Sequence, residues 1–185
     1  MELEQSFDLP VPRDAAWEAF RDLPLLVSCL PGAKLTSEPH ADPVQILFAV
    51  KLGPINVSFT GTGDVEYGED YRCRFIGGGA DRNTNSRVKG AAKFSLHDGP
   101  AGGTHVRLAV DYALTGALAQ FGRPGIVKEI AANLTQQFAA NLETRLTAQA
   151  AGEAAAAAPA RLDAGDLLVK AAHGRIKRMF GGTGD

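Results

Sequence analysis

Cysteine is scarce in this chain of 185 residues. Cys29 and Cys73 lie far apart and outside any Cys-x-x-Cys spacing, so neither a disulfide framework nor a zinc site is implied. An excess of positive charge is also missing. The formal net charge of -2 argues against nonspecific nucleic-acid binding as the main activity. No window approaches the ~18 consecutive apolar residues of a membrane span. The opening residues Met1-Glu2-Leu3-Glu4-Gln5 are acidic and polar where a signal peptide would need a basic start and an apolar run, so the expected location is cytoplasmic. His40, His97, His105 and His173 show neither i, i+4 pairing nor a nearby cysteine, and no metal site is expected. Asp64 and Asp111 fall on outward faces by parity, and no carboxylate pair has the spacing of glycosidase or protease chemistry. Gly77-Gly78-Gly79 follows a strand but opens into a polar stretch from Gly78 to Arg87, read as a loop, and so lacks the helix a phosphate cradle needs. No catalytic residues are expected and the chain is read as a non-enzyme.

What is present is a globular composition, 45% hydrophobic and 22% charged, long enough for one core plus an appendage. Leu3, Gln5, Phe7 and Leu9 alternate with polar residues until Pro10 and Pro12 stop the strand. Asp14 is positioned to cap a short helix with Trp17 and Phe20, and a second helical turn runs from Asp22 through Val27 to the break at Leu30-Pro31-Gly32. From residue 44 the period of two is regular. Val44, Ile46, Phe48, Val50 and Leu52 share one face, and after Gly53-Pro54 the inward row is Ile55, Val57, Phe59, Gly61, Gly63, Val65 and Tyr67. Tyr71, Cys73, Phe75 and Gly77 continue that face, followed by Val88, Gly90, Ala92, Phe94 and Leu96, then Val106, Leu108, Val110, Tyr112 and Leu114. Such alternation is that of an antiparallel meander with one solvated side.

The Gly122-Arg123-Pro124-Gly125 corner starts a long helix in which Ile126, Ile130, Leu134, Phe138 and Leu142 recur every fourth residue, a stripe expected to lie across the inner face of the sheet. The fold class is therefore α+β, a curved antiparallel sheet gripping a long C-terminal helix. The folded domain is placed at residues 1–148. Residues 149–160 read as an Ala-rich linker, and 161–185 as a basic amphipathic tail. In the tail Leu168, Ala172, Ile176, Met179 and Phe180 share a face and Lys170, Arg175, Lys177 and Arg178 add positive charge, a pattern suited to a membrane surface or a partner protein.

Gly61, Gly63, Gly77, Gly90 and Ala92 share the inward face with Phe48, Phe59, Phe75 and Phe94. Two readings follow: the small residues leave volume for an apolar ligand, or they mark bends that let the sheet curl around the helix. The two are compatible.

Trp17, Leu30-Pro31-Gly32-Ala33, Val50-Lys51-Leu52-Gly53-Pro54, Phe59-Thr60-Gly61 and the run from Asp111 to Gly122, in this order of elements, resemble the CoxG family of carbon monoxide dehydrogenase subunits, within the START-like, or SRPBCC, superfamily. The resemblance covers residues 2 to 148. Pro124 departs from the ordinary helix-starting residue of the family, a change the first turn tolerates. The resemblance implies a helix-grip fold with an apolar cavity between sheet and helix, and no catalytic residues. It also implies association with a molybdenum-containing carbon monoxide dehydrogenase or related hydroxylase, peripherally on the inner face of the cytoplasmic membrane.

The ligand-contacting set expected on these grounds is Phe48, Val50, Val57, Phe59, Gly61, Phe75, Gly77, Gly90, Ala92, Phe94, Tyr112, Leu114, Phe121, Ile126, Ile130, Leu134 and Phe138. The expected ligand is a membrane quinone or another lipid, with no covalent cofactor and a monomeric protein. An adaptor that recruits an enzyme to the membrane without carrying a ligand is the alternative. A START-like small-molecule enzyme would need a polar group in the cavity, and Tyr67, Tyr71, Tyr112 and Cys73 are the inward candidates.

Overall fold

The computed structural model describes residues 1–52, 55–121 and 124–150. The expected linker from residue 151 onward, the tail and its membrane-directed residues, and the Gly53-Pro54 and Gly122-Arg123 turns lie outside the described residues.

Strand β1 (Glu2–Leu9) leads into α1 (Arg13–Arg21) and α2 (Leu23–Cys29). A short β2 (Ala33–Leu35) precedes β3 (Val44–Leu52), β4 (Ile55–Tyr67), β5 (Arg72–Asp81), β6 (Ser86–Asp98), β7 (Thr104–Thr115) and α3 (Pro124–Ala150). The strands form one seven-stranded sheet in the order β1-β7-β6-β5-β4-β3-β2, every neighbouring pair antiparallel. All but the edge placement of β1 follows from hairpins between consecutive strands. β1 reaches β7 because α1, α2 and β2 carry the chain to the far edge first.

Two local expectations are corrected. Asp14 does not cap α1. Pro12 holds the N-cap position without a side-chain bond, and Asp14, in the first turn, accepts the Tyr71 hydroxyl instead. Asp22 is the residue that caps, its carboxylate accepting the Leu25 N–H of α2 at 3.0 Å. The polar stretch from Gly78 to Arg87 is not a loop, because its backbone continues the ladders of β5 and β6 and only residues 82–85 turn. Glycines pair through their backbone with no side-chain pattern to announce it, so periodicity could not see this.

Asp81 closes that turn. Its carboxylate accepts the Thr84 hydroxyl at 2.6 Å and the backbone N–H groups of Thr84 and Asn83, which holds its pKa below the ordinary value. The Ser86 hydroxyl then accepts the Leu118 N–H at 3.0 Å, tying the hairpin to the 3₁₀ turn Gly116–Phe121. Gly32, at φ 79°, is required by its neighbours as well as by its turn, since a Cβ there would collide with the Ala49 carbonyl oxygen.

The largest buried cluster joins Leu9, Phe20, Cys29, Cys73, Leu96 and Val106 to Phe138, Leu142 and Leu146 of α3. Edge-to-face ring pairs, Phe7 with Phe138 at 5.9 Å and Phe20 with Phe94 at 5.4 Å, fasten it, and Asn141 donates to the Cys29 carbonyl at 2.9 Å. The C-terminal half of α3 is thus clamped between β1 and α2. The expected stripe along α3 is corrected at its start: Ile126 is 41% exposed. A row of every fourth residue slips by about 40° per step at 3.6 residues per turn, so Ile126 lies about 160° around the helix from Leu142.

Candidate functional site

Register fixes which inward residues are neighbours across the sheet. One row runs Val44, Gly63, Gly77, Gly90, Tyr112, and the next runs Val65, Phe75, Ala92, Val110, Leu3. On one side of these two rows lies the large cluster described above. On the other lies a separate buried cluster of Val57, Phe59 and Leu118, with Phe48, Val50, Val88 and Leu114 against it. Between the clusters Leu3, Phe75, Gly77, Gly90, Ala92, Val110 and Tyr112 are only half-buried, as are Val127, Ile130, Ala131 and Leu134 in the N-terminal half of α3. The inner face is therefore an apolar strip flanked by two cores that do not meet across it.

The residues expected to contact a ligand divide into groups. Phe48, Val50, Val57, Phe59 and Leu114 belong to the smaller core, and Phe94 and Phe138 to the larger one. Gly61, Phe75, Gly77, Gly90, Ala92 and Tyr112 come together in or beside the intermediate strip. Ile130 and Leu134 are half-buried on α3, while Ile126 points largely to solvent. Phe121 ends the 3₁₀ turn, its side chain outside the described residues.

The glycines of this strip do not leave simple holes. A Cβ on Gly63 would overlap the Phe75 ring, and one on Gly77 would sit 2.9 Å from that ring and 2.7 Å from the Thr62 carbonyl oxygen. Phe75 therefore lies over both glycines. At Gly61 and Gly90 a Cβ would strike the backbone oxygens of Gly78 and Asp111, so there the absence of a side chain permits close strand approach. The curvature reading accounts for Gly61 and Gly90. At Gly63 and Gly77 the volume released is occupied by an aromatic ring.

Polar groups near the strip are few. The Tyr112 hydroxyl makes no hydrogen bond to any described residue, while its backbone pairs with Met1. Tyr67 is 44% exposed and donates to the Arg21 carbonyl at 3.3 Å. Tyr71 stands at φ 59° in the β4–β5 turn, yet its carbonyl accepts the Leu96 N–H and its ring packs on the larger core as the alternation predicts, beside Trp17 and under the Arg13 guanidinium at 4.4 Å. Burial pushes the Cys73 thiol up to about 12, and Cys29 is raised for the same reason, so both are poor nucleophiles near neutral pH. His97 and His105 face each other across β6 and β7, a juxtaposition that spacing along the chain could not reveal, and His105 Nδ1 lies 2.7 Å from Asp8. Among the described residues no group of three or more His, Cys, Asp or Glu is arranged to hold a metal ion, and no helix is long and apolar enough to cross a membrane.

A long helix held against the concave side of an antiparallel sheet, with two short helices after the first strand, defines a START-like helix-grip protein. The sequence match is more particular: residues 6–147 match the family of the carbon monoxide dehydrogenase subunit known as CoxG, and the chain belongs to that family. None of the curated proteins compared matches it. Among solved structures it is similar to a conserved protein from Geobacillus kaustophilus, at a TM-score of 0.69 and 14% identity over 80% of this chain and 95% of that one. It is also similar to a START superfamily protein from Mycobacterium smegmatis, at 0.55 and 14% over 80% and 98%. An aromatase/cyclase, Zhui from Streptomyces sp. R1128, gives 0.53 and 13% over 83% and 99%. At these identities the likeness is one of fold, and a fold that includes an aromatase/cyclase does not decide between binding and catalysis.

Proposed function

We propose that this protein is a ligand-binding accessory of a molybdenum-containing carbon monoxide dehydrogenase or a related hydroxylase. In this reading it holds a lipophilic quinone against the inner face of its sheet and links the enzyme to the membrane. The observation that carries the reading is the half-buried apolar strip between two separate cores, matched by apolar residues of the N-terminal half of α3 that are themselves only half-buried. A flat, apolar ring system seated beside Phe75 would complete burial there, and the unpartnered Tyr112 hydroxyl would donate to a ring carbonyl. Family membership supplies the partner class. An electron-accepting quinone is lipid-soluble, so a protein that carries its head group toward a cytoplasmic oxidoreductase solves a transport problem without bond chemistry.

Organic extraction of protein purified from its source, followed by redox-active analysis of the extract, tests the ligand. A quinone in near-stoichiometric amount, lost in an Ala92→Leu variant that remains folded, is the expected result. No quinone bound or taken up by the intact protein overturns it. Deleting residues 161 to 185 separates the two halves of the proposal: membrane fractionation is expected to fall while quinone binding persists, and unchanged fractionation removes the anchoring role.

A further inference from the structure

On the face of the sheet opposite the apolar strip, outward side chains of β1, β4, β5, β6 and β7, joined by Lys128 from the N-terminal end of α3, line a groove of about 1100 Å³. Five cations, Arg72, Arg74, Lys93, Arg107 and Lys128, meet only two carboxylates there, Glu4 and Glu66, in a chain whose net charge is -2. Two of the five are already engaged: Arg74 lies 3.5 Å from Glu66, and Lys93 lies 3.4 Å from Asp111. The side chains of Arg72, Arg107 and Lys128 make no ion pair or hydrogen bond with any described residue.

The strand register arranges these free charges. Arg72 pairs across β5 and β6 with Ser95, and Ser95 across β6 and β7 with Arg107, so one row places a hydroxyl between two guanidinium groups. The Ser95 Oγ lies 3.1 Å from His97 Nε2, which holds the hydroxyl on the outer face. Adjacent strands are about 5 Å apart, which puts the two arginine backbones about 10 Å from each other, and both forks can converge on one group above Ser95. Guanidinium forks match the geometry of tetrahedral or planar oxyanions and bind them with paired, charge-assisted hydrogen bonds. Cations clustered without partners repel one another, and a bound anion relieves that repulsion.

We propose that this groove is an anion-binding site for a phosphoryl group, held between Arg72 and Arg107 over the Ser95 hydroxyl with Lys128 at the rim. The site is separate from the apolar strip, and its ligand is either a free phosphorylated solute or a phospholipid headgroup.

The test uses the full chain. Inorganic pyrophosphate, titrated at low ionic strength, is expected to shift the backbone amide resonances of Arg72, Ser95 and Arg107 saturably. An Arg72→Gln/Arg107→Gln variant, exposed at both positions and with an unchanged circular dichroism spectrum, is expected to bind at least tenfold more weakly. Glu66→Gln, which removes a competing carboxylate and releases Arg74, is expected to bind several-fold more tightly. Vesicles of phosphatidylglycerol and phosphatidylcholine in equal parts distinguish the source. Sedimentation lost in the double arginine variant and competed by pyrophosphate assigns a lipid headgroup, whereas pyrophosphate binding without such sedimentation assigns a free solute. Shifts that never saturate, or that persist undiminished in the double variant, overturn the site.

Discussion

Gly63 has no side chain, and the ring of Phe75 takes the place its Cβ would need. Gly63→Ala is therefore expected to destabilise the fold by about 1–3 kcal/mol, the usual cost of overpacking, and Gly63→Ala combined with Phe75→Leu to cost less than the sum of the two single changes. Urea unfolding of the four proteins measures this coupling. Asp81 is a second residue whose surroundings make a definite prediction. Its folded pKa is depressed chiefly by the Thr84 hydroxyl, so its stabilising contribution is present above the unfolded value of 3.8 and disappears as pH falls through the folded value. The difference in unfolding midpoint between the wild type and Asp81→Asn should be constant above about pH 5, where an ordinary carboxylate is already ionised, and shrink on acidification below 3.8. A difference that grows toward low pH would contradict the assignment.

The elements differ in how firmly they are held. Leu142 is fully buried between β1 and α2, and Leu142→Ala is expected to cost about 2–5 kcal/mol. Ile126→Ser, at the exposed start of the same helix, should change stability by less than about 0.5 kcal/mol. Comparing the two by chemical denaturation tests the two-part reading of α3 directly, since a helix gripped along its whole length would lose stability at both positions. The strands of this sheet could be read from alternation wherever side chains alternate, as at Ile46, Phe48 and Val50. The triple glycine at residues 77–79 carries no such pattern, so the second half of β5 was missed. The three-residue β2 was too short to show a period. Within the candidate site, parity named the inward residues correctly through the strip, but it could not see that Tyr71 reaches the core from a turn residue of positive φ.

For the whole molecule, two cores separated by a half-buried strip leave apolar surface that a ligand can remove from water. Decylubiquinone at about a hundredfold excess over its dissociation constant is expected to add about 2.7 kcal/mol, and thus to raise the unfolding temperature by roughly 5–10 °C for a domain of this size. Differential scanning calorimetry of stripped protein with and without the quinone checks this. An unchanged transition would remove the strip as a quinone site. The charge distribution works on the same scale. A near-neutral chain gathers unpaired cations on its outer face through pairing between β5, β6 and β7, none of which is basic enough to announce a site alone.

Alternation, turn residues and the Pro-Gly breaks act over a few residues, and they were enough to specify an antiparallel sheet, two short helices, one long helix and the inward identity of most side chains. What they could not specify depends on contacts between distant segments. The slip of an every-fourth row around α3, the ring of Phe75 laid over Gly63, the meeting of Arg72, Ser95 and Arg107 in one row, and the open strip between two cores arise only when strands far apart in the chain are brought into register. Local periodicity records which way a side chain points, and packing alone decides what it meets there.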